Sequence, residues 1–166
     1  MRRIDPKEAF HLLKPERIVF VVSVDKARRP SGMVAAWHMK CSFSPPLLAV
    51  SLSKQSNTRK LVLQSREFVV AVPNKRLERA VQYFGSTSGD EVDKFAATRV
   101  RTSRARMVHS PLLRDATFNF ECKLLRTVPA GDHTLLIGKV LAAYATKKKV
   151  LFSVSNVRGK RIFREF

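Results

Sequence analysis

The stretch Gly32–Lys60, GMVAAWHMKCSFSPPLLAVSLSKQSNTRK, decides how the rest of the chain is read. It runs as a strand, a tight Pro-Pro connection, a second strand, a polar loop and the start of a helix. The apolar run Leu47–Leu52 (LLAVSL) suits a strand covered on both faces. It opens onto SKQSNTRK, Ser53–Lys60, which is dense in hydroxyl, amide and cationic donors. Asn57 is a suitable N-cap for a helical pattern beginning near Thr58. Free N–H groups at a helix start, hydroxyls and nearby cations form a generic phosphate cradle. This stretch is the candidate functional centre.

Upstream, Arg17–Val24 is rich in β-branched residues and reads as a strand. A polar turn, Asp25–Ser31, returns into a strand over Gly32–Met39, so the two form a hairpin. Asp5–Leu13 reads as an opening amphipathic helix that stops before Pro15. Downstream, Glu67–Pro73 is a strand, and Asn74 caps a helix through Phe84 with Gly85 as its C-cap. A short helix follows over Asp90–Ala97, and Arg99–Leu113 is a basic surface loop. Phe118–Leu125 alternates as a strand, Pro129–Asp132 turns, and His133–Tyr144 is a long strand, with one more over Val150–Val154. The expected class is mainly β with inserted helices, a β-barrel with helical excursions. Several joins are too short for parallel crossovers, so antiparallel pairing dominates. A doubly wound sheet is disfavoured because no GxGxxG follows the first strand.

The 166 residues suit a single domain, 1–166, with a sizeable core. Apolar residues make up 45%, a globular composition, and no apolar run is long enough to span a bilayer. The amino-terminal residues lack the apolar segment of a signal peptide, so the expectation is a soluble, cytoplasmic protein. Cys41 and Cys122 are far apart and form no CxxC pair, and read as free core thiols. The cysteines and the four histidines show no metal-ligand spacing, and no GxSxG is present. The 32 Lys and Arg against 13 Asp and Glu give a net charge of +19, which attracts nucleotides, acidic proteins, nucleic acid or membrane without naming one.

Four segments in register carry a resemblance. PSGMVAAWHMKCSFSPPLLAVSLSKQSNTRKLV, REFVVAVPN (66–74), YFGSTSGDEVDKF (83–95) and AGDHTLLIGKVLAAY (130–144) together resemble the flavin reductase-like, or flavoredoxin, family over nearly the whole chain. The resemblance implies an FMN-binding split β-barrel and a homodimer with FMN near the subunit interface; FAD is the less favoured cofactor. It implies that Ala35, Ala36, Trp37 and His38 lie along the flavin ring, with Cys41, Ser42 and Phe43 in the turn that follows. Ser53, Asn57, Thr58 and Lys60 match the loop holding ribityl and phosphate. Phe84 and Gly85 match a segment near the flavin, and His133 a histidine beside the flavin and the incoming nicotinamide. In the family's usual pattern a hydroxyl stands where this chain has Val34.

Three functions of different classes follow. The first is a flavin or ferric-chelate reductase using NADH or NADPH, with His133 as its catalytic residue. The second is a non-enzymatic electron carrier that passes electrons to an acidic redox partner. The third, ranked well behind, is a nucleic-acid-binding barrel, which lacks the aromatic stacking platform of single-strand binders. Flavin chemistry asks the protein for positioning and potential, which agrees with the absence of an obvious acid–base pair.

Overall fold

A computed structural model describes residues 1–157 and 160–166. In chain order the elements are α1 (Pro6–Leu12), β1 (Glu16–Arg17), β2 (Val19–Val24), β3 (Pro30–Ala35), β4 (His38–Phe43) and β5 (Pro46–Ser53). Then come α2 (Asn57–Ser65), β6 (Glu67–Val72), a 3-10 turn (Lys75–Leu77), α3 (Glu78–Ser86) and α4 (Lys94–Thr98). The chain closes with β7 (Thr102–Ser103), β8 (Leu112–Leu113), β9 (Phe118–Ala130), β10 (His133–Ala145), β11 (Leu151–Val157) and β12 (Lys160–Glu165).

Seven strands form one antiparallel sheet in the order β3-β2-β6-β9-β10-β5-β4. Its two edge strands, β3 and β4, are consecutive in the chain and separated only by Ala36 and Trp37. A link that short forces the two edges together, so the sheet curls on itself as a split barrel. The Ser51 N–H donates to the Trp37 carbonyl at 2.8 Å and stitches the junction to β5.

The alternation of β2 shows how the layers form. Val19 and Val21 point into an inner cluster with Val50, Phe68 and Leu136. Ile18, Phe20 and Val22 point outward under Val81 and Phe84 of α3 and Phe95 of α4. Both faces are covered, and all six residues of β2 are buried. Gly138 lets the barrel interior close: a Cβ there would stand 2.6 Å from the Phe68 ring. The β9–β10 ladder shifts register at that glycine.

Several sequence expectations are corrected. The strand expected over Gly32–Met39 is two strands, because the chain changes sheet edge at Ala36–Trp37. Cys41, Ser42 and Phe43 therefore lie in β4 and not in a turn. Leu47 and Leu48 are only partly buried, so β5 is open at its start and not covered on both faces throughout. Arg17 belongs to β1, which pairs with β11 in a second sheet of order β1-β11-β12, and β12 had no expectation at all. The second helix starts as a 3-10 turn and runs through Ser86, with Thr87 and not Gly85 at its C-cap. The short helix is Lys94–Thr98, capped by Asp93, because the Asp93 carboxylate accepts from Ala96 N–H. β9 extends through Ala130, leaving only Gly131 and Asp132 to turn, with Gly131 at φ +58°. The basic segment is not wholly loop: β7 and β8 pair within it.

Candidate functional site

The start of α2 is the centre of the site. Ser56, not Asn57, is its N-cap: the Ser56 hydroxyl accepts the Arg59 N–H at 3.3 Å and donates to the Met33 sulfur at 3.0 Å. Asn57 is thus the first helical residue, with Thr58 buried behind it. The first turn has no acidic residue and instead holds Arg59 and Lys60. Cations beside the positive end of a helix dipole are the reverse of the usual preference, and the arrangement is relieved by an anion.

Two other segments wall this helix start. Gly89 sits so close that a Cβ on it would stand 2.4 Å from the Ser31 hydroxyl and 3.1 Å from the Asn57 amide nitrogen. Ser31 of β3, Asn57 of α2 and the segment 87–93 therefore converge on one small cradle. The Lys60 ammonium lies 3.8 Å from the Asp90 carboxylate at its exposed rim. Ser53 turns its hydroxyl to the Gln55 N–H at 3.3 Å at the end of β5.

The cradle is tied to the start of β10. Arg59 Nε donates to the Thr134 hydroxyl at 2.8 Å, and the Lys54 N–H to the Asp132 carbonyl at 3.0 Å. Next to these bonds, His133 Nδ1 lies 2.7 Å from the Asp132 carboxylate. That contact holds Asp132 below the ordinary carboxylate range. The other face of the imidazole meets Trp37, ring centroids 4.8 Å apart. Trp37 also lines an open apolar hollow of ≈ 630 Å³ with Phe10, Leu13, Lys14, Pro15 and Glu16.

The remaining expected residues fall in two places. Ala35 ends β3, and Ala36 and Trp37 make the crossing to β4. His38 opens β4, and its Nε2 is buried without a protein hydrogen-bond partner. Burial pushes that imidazole below its ordinary value, against an opposing backbone hydrogen bond at Arg17 and with a smaller push from the Arg17 charge. Cys41 is exposed on β4, which corrects its expected place in the core, whereas Cys122 is buried and its thiol is pushed up to about 12. Ser42 is partly covered and Phe43 exposed. Phe84 is 1% exposed and packs edge-to-face with Phe20 and Phe95 in the core; Gly85 lies on the exposed side of the same helix. Ser56 and Arg59 lay within the donor-rich run but were not singled out, and Ser31 and Gly89 were read only as turn residues. A cap one residue earlier would have shown Ser56, but nothing local signals the approach of Gly89 to Ser31. Among the described residues, no group of three or more His, Cys, Asp or Glu could hold a metal ion, and no helix is long and apolar enough to cross a membrane.

Residues 15–159 match the flavin reductase like domain. The chain belongs to the flavin reductase-like family. It is similar to the high molecular weight rubredoxin of Moorella thermoacetica, 32% identical over 127 residues, which cover 75% of this chain and 54% of that protein. The NADH:FAD oxidoreductase of Streptomyces globisporus C-1027 superposes with a TM-score of 0.83 at 26% identity, over 100% of this chain and 98% of that one. The FMN-binding protein of Thermus thermophilus, solved with bound 1-cyclohex-2-enone, superposes with a TM-score of 0.84 at 26% identity. That match covers 99% of this chain and 94% of that one. Membership places the chain among flavoproteins of the oxidoreductase class.

Proposed function

We propose that this protein binds FMN and reduces it with NADH or NADPH, as a flavin or ferric-chelate reductase. The observation that carries the reading is the cradle at the start of α2, with its cationic, acid-free first turn and the close approach of Gly89. Its chemistry fits a phosphate dianion: a helix N-terminus, the Ser53, Ser56 and Thr58 hydroxyls, the Asn57 amide and the Lys60 ammonium. The unpartnered Nε2 of His38 and the crossing Ala35–Trp37 supply a polar atom and an apolar wall for the ring system. Cys41, Ser42 and Phe43 of β4 extend that wall, and Phe84 and Gly85 back the site from α3. FAD is the alternative ligand, its adenylate resting on the basic loops.

When bound, FMN supplies a two-electron centre that takes hydride from a nicotinamide and passes electrons to an acceptor. The protein's own residues then bind and orient. Asp132 fixes the His133 ring from one side and Trp37, which also lines the apolar hollow, packs against its face, so the imidazole is held in one orientation. In that place His133 orients the incoming nicotinamide, while Arg59 and Lys54 keep it in fixed relation to the cradle.

A second copy of the chain covers the apolar groups left in the open on and near the edge strand β4. Trp37, Met39 and Phe43 are 50%, 58% and 90% exposed there. The whole chain acts as one cytoplasmic flavin-binding domain. A second reading, an electron carrier to an acidic protein, is favoured by the +19 charge and by the similarity to a rubredoxin-named relative.

The test is a visible absorption spectrum of the purified protein before and after anaerobic NADH or NADPH. Flavin bands that bleach support the reductase and name its reductant. Bands that persist favour the carrier. A colourless protein that also fails to take up FMN overturns both readings.

A further inference from the structure

Lys94 is the one lysine of α4 and is 4% exposed. A buried ammonium is ordinarily paired with a carboxylate. Among the described residues none lies within ion-pair distance of it: its Nζ donates instead to two neutral backbone carbonyls, Gly32 O at 3.1 Å and Phe84 O at 3.0 Å. The Phe84 ring lies beneath it, 5.6 Å from Nζ to the centroid. Burial lowers its pKa, and no charged group offsets that cost. Two of its three donors are spent on these backbone carbonyls.

What those two carbonyls belong to gives the arrangement its meaning. Gly32 follows Ser31, the β3 residue that faces Gly89 across the cradle. Phe84 lies in the last turn of α3, just before the segment 87–93 that carries Gly89. Lys94 closes the far end of that segment at α4. Asp93 is spent capping the helix, and the Thr98 hydroxyl holds the Lys94 carbonyl at 2.6 Å. One buried side chain thus bolts both walls of the cradle together from behind.

We propose that Lys94 is a positioning residue of the phosphate cradle, which sets Ser31 and segment 87–93 over the start of α2 and leaves behind them a buried positive charge that an anionic ligand offsets. This rests on the reading of α2 as the phosphate site. A purely mechanical bolt would serve any flavin equally, whereas an uncompensated charge favours the phosphate-bearing one.

The experiment measures dissociation constants for FMN and for riboflavin by flavin fluorescence, in the wild type, Lys94→Met and Lys94→Arg. The wild type is expected to prefer FMN strongly. Lys94→Met should lower the FMN-over-riboflavin preference by about tenfold or more, and Lys94→Arg should retain most of it. An equal loss of both ligands in Lys94→Met, or no loss of either, overturns the inference and leaves the cradle reading standing. A wild type that binds flavin without preferring FMN overturns the cradle reading itself, and the inference with it. If Lys94→Met does not fold, Lys94→Gln, which keeps one carbonyl donor without the charge, is read by the same criterion.

Discussion

The Trp37 indole lies against the His133 imidazole, the ring planes inclined at 42° and the centroids 4.8 Å apart. One residue sits at the crossing between the two sheet edges, the other at the start of β10. The contact exists because β5 lies between them: it pairs with β10 at Ser53–His133 and takes the Trp37 carbonyl at Ser51. An aromatic wall and an oriented imidazole thus stand side by side. His133→Ala is expected to slow flavin reduction by NAD(P)H about tenfold or more, as positioning losses do, while FMN affinity changes far less. Stopped-flow reduction set beside a binding titration checks this, and equal losses in both would remove the role.

Ser53→Ala combined with Thr58→Ala should weaken FMN binding by about 100-fold or more, the scale of two hydrogen bonds to a charged acceptor. Far-UV circular dichroism should be unchanged. An unaltered FMN dissociation constant would place the phosphate elsewhere.

Gly89→Ala should act on the same cradle by volume instead of chemistry. Its Cβ would stand 2.4 Å from the Ser31 hydroxyl, so that hydroxyl must turn out of the cradle or segment 87–93 move outward. FMN affinity should fall about tenfold with a melting temperature shifted by a few degrees at most. A large loss of melting temperature with intact FMN affinity would assign Gly89 to the fold alone.

Glu121 is fully buried and anchors the basic segment: its carboxylate accepts from the Arg106, Met107 and Val108 N–H groups and from the Tyr144 hydroxyl. Burial alone would raise this carboxyl, but those four donors outweigh it and hold the group below its ordinary value of 4.5. A depressed folded-state pKa contributes stability that is complete above the unfolded-state value and is lost as pH falls through the folded-state one. Glu121→Gln should therefore cost about 2–3 kcal/mol at neutral pH. The gap to wild type should narrow below about pH 4.5. Urea unfolding across that range measures both, and a gap independent of pH would refute the charged anchor.

Phe43→Asp should weaken self-association at least tenfold, about 1.4 kcal/mol or more, if β4 meets a second copy. Light scattering coupled to size exclusion, over a dilution series, reads the change. A monomeric wild type would remove the dimer outright.

Much of this was legible in the sequence because it is local. Period-two alternation, Pro and Gly punctuation and short joins determined the strands, their antiparallel pairing and the mainly β class. The donor-rich run Ser53–Lys60 marked the helix start from composition alone, though its cap lay one residue earlier, at Ser56. Only the tertiary structure decided what acts on that start. A strand of period two looks the same before and after a change of sheet edge, so the break at Ala36–Trp37 was invisible until the barrel curled. The approach of Gly89 to Ser31, the bond from Arg59 to Thr134 and the burial of Lys94 under β3 and α3 join residues far apart in the chain. Such meetings are set by how layers pack, and no residue's own propensity encodes them.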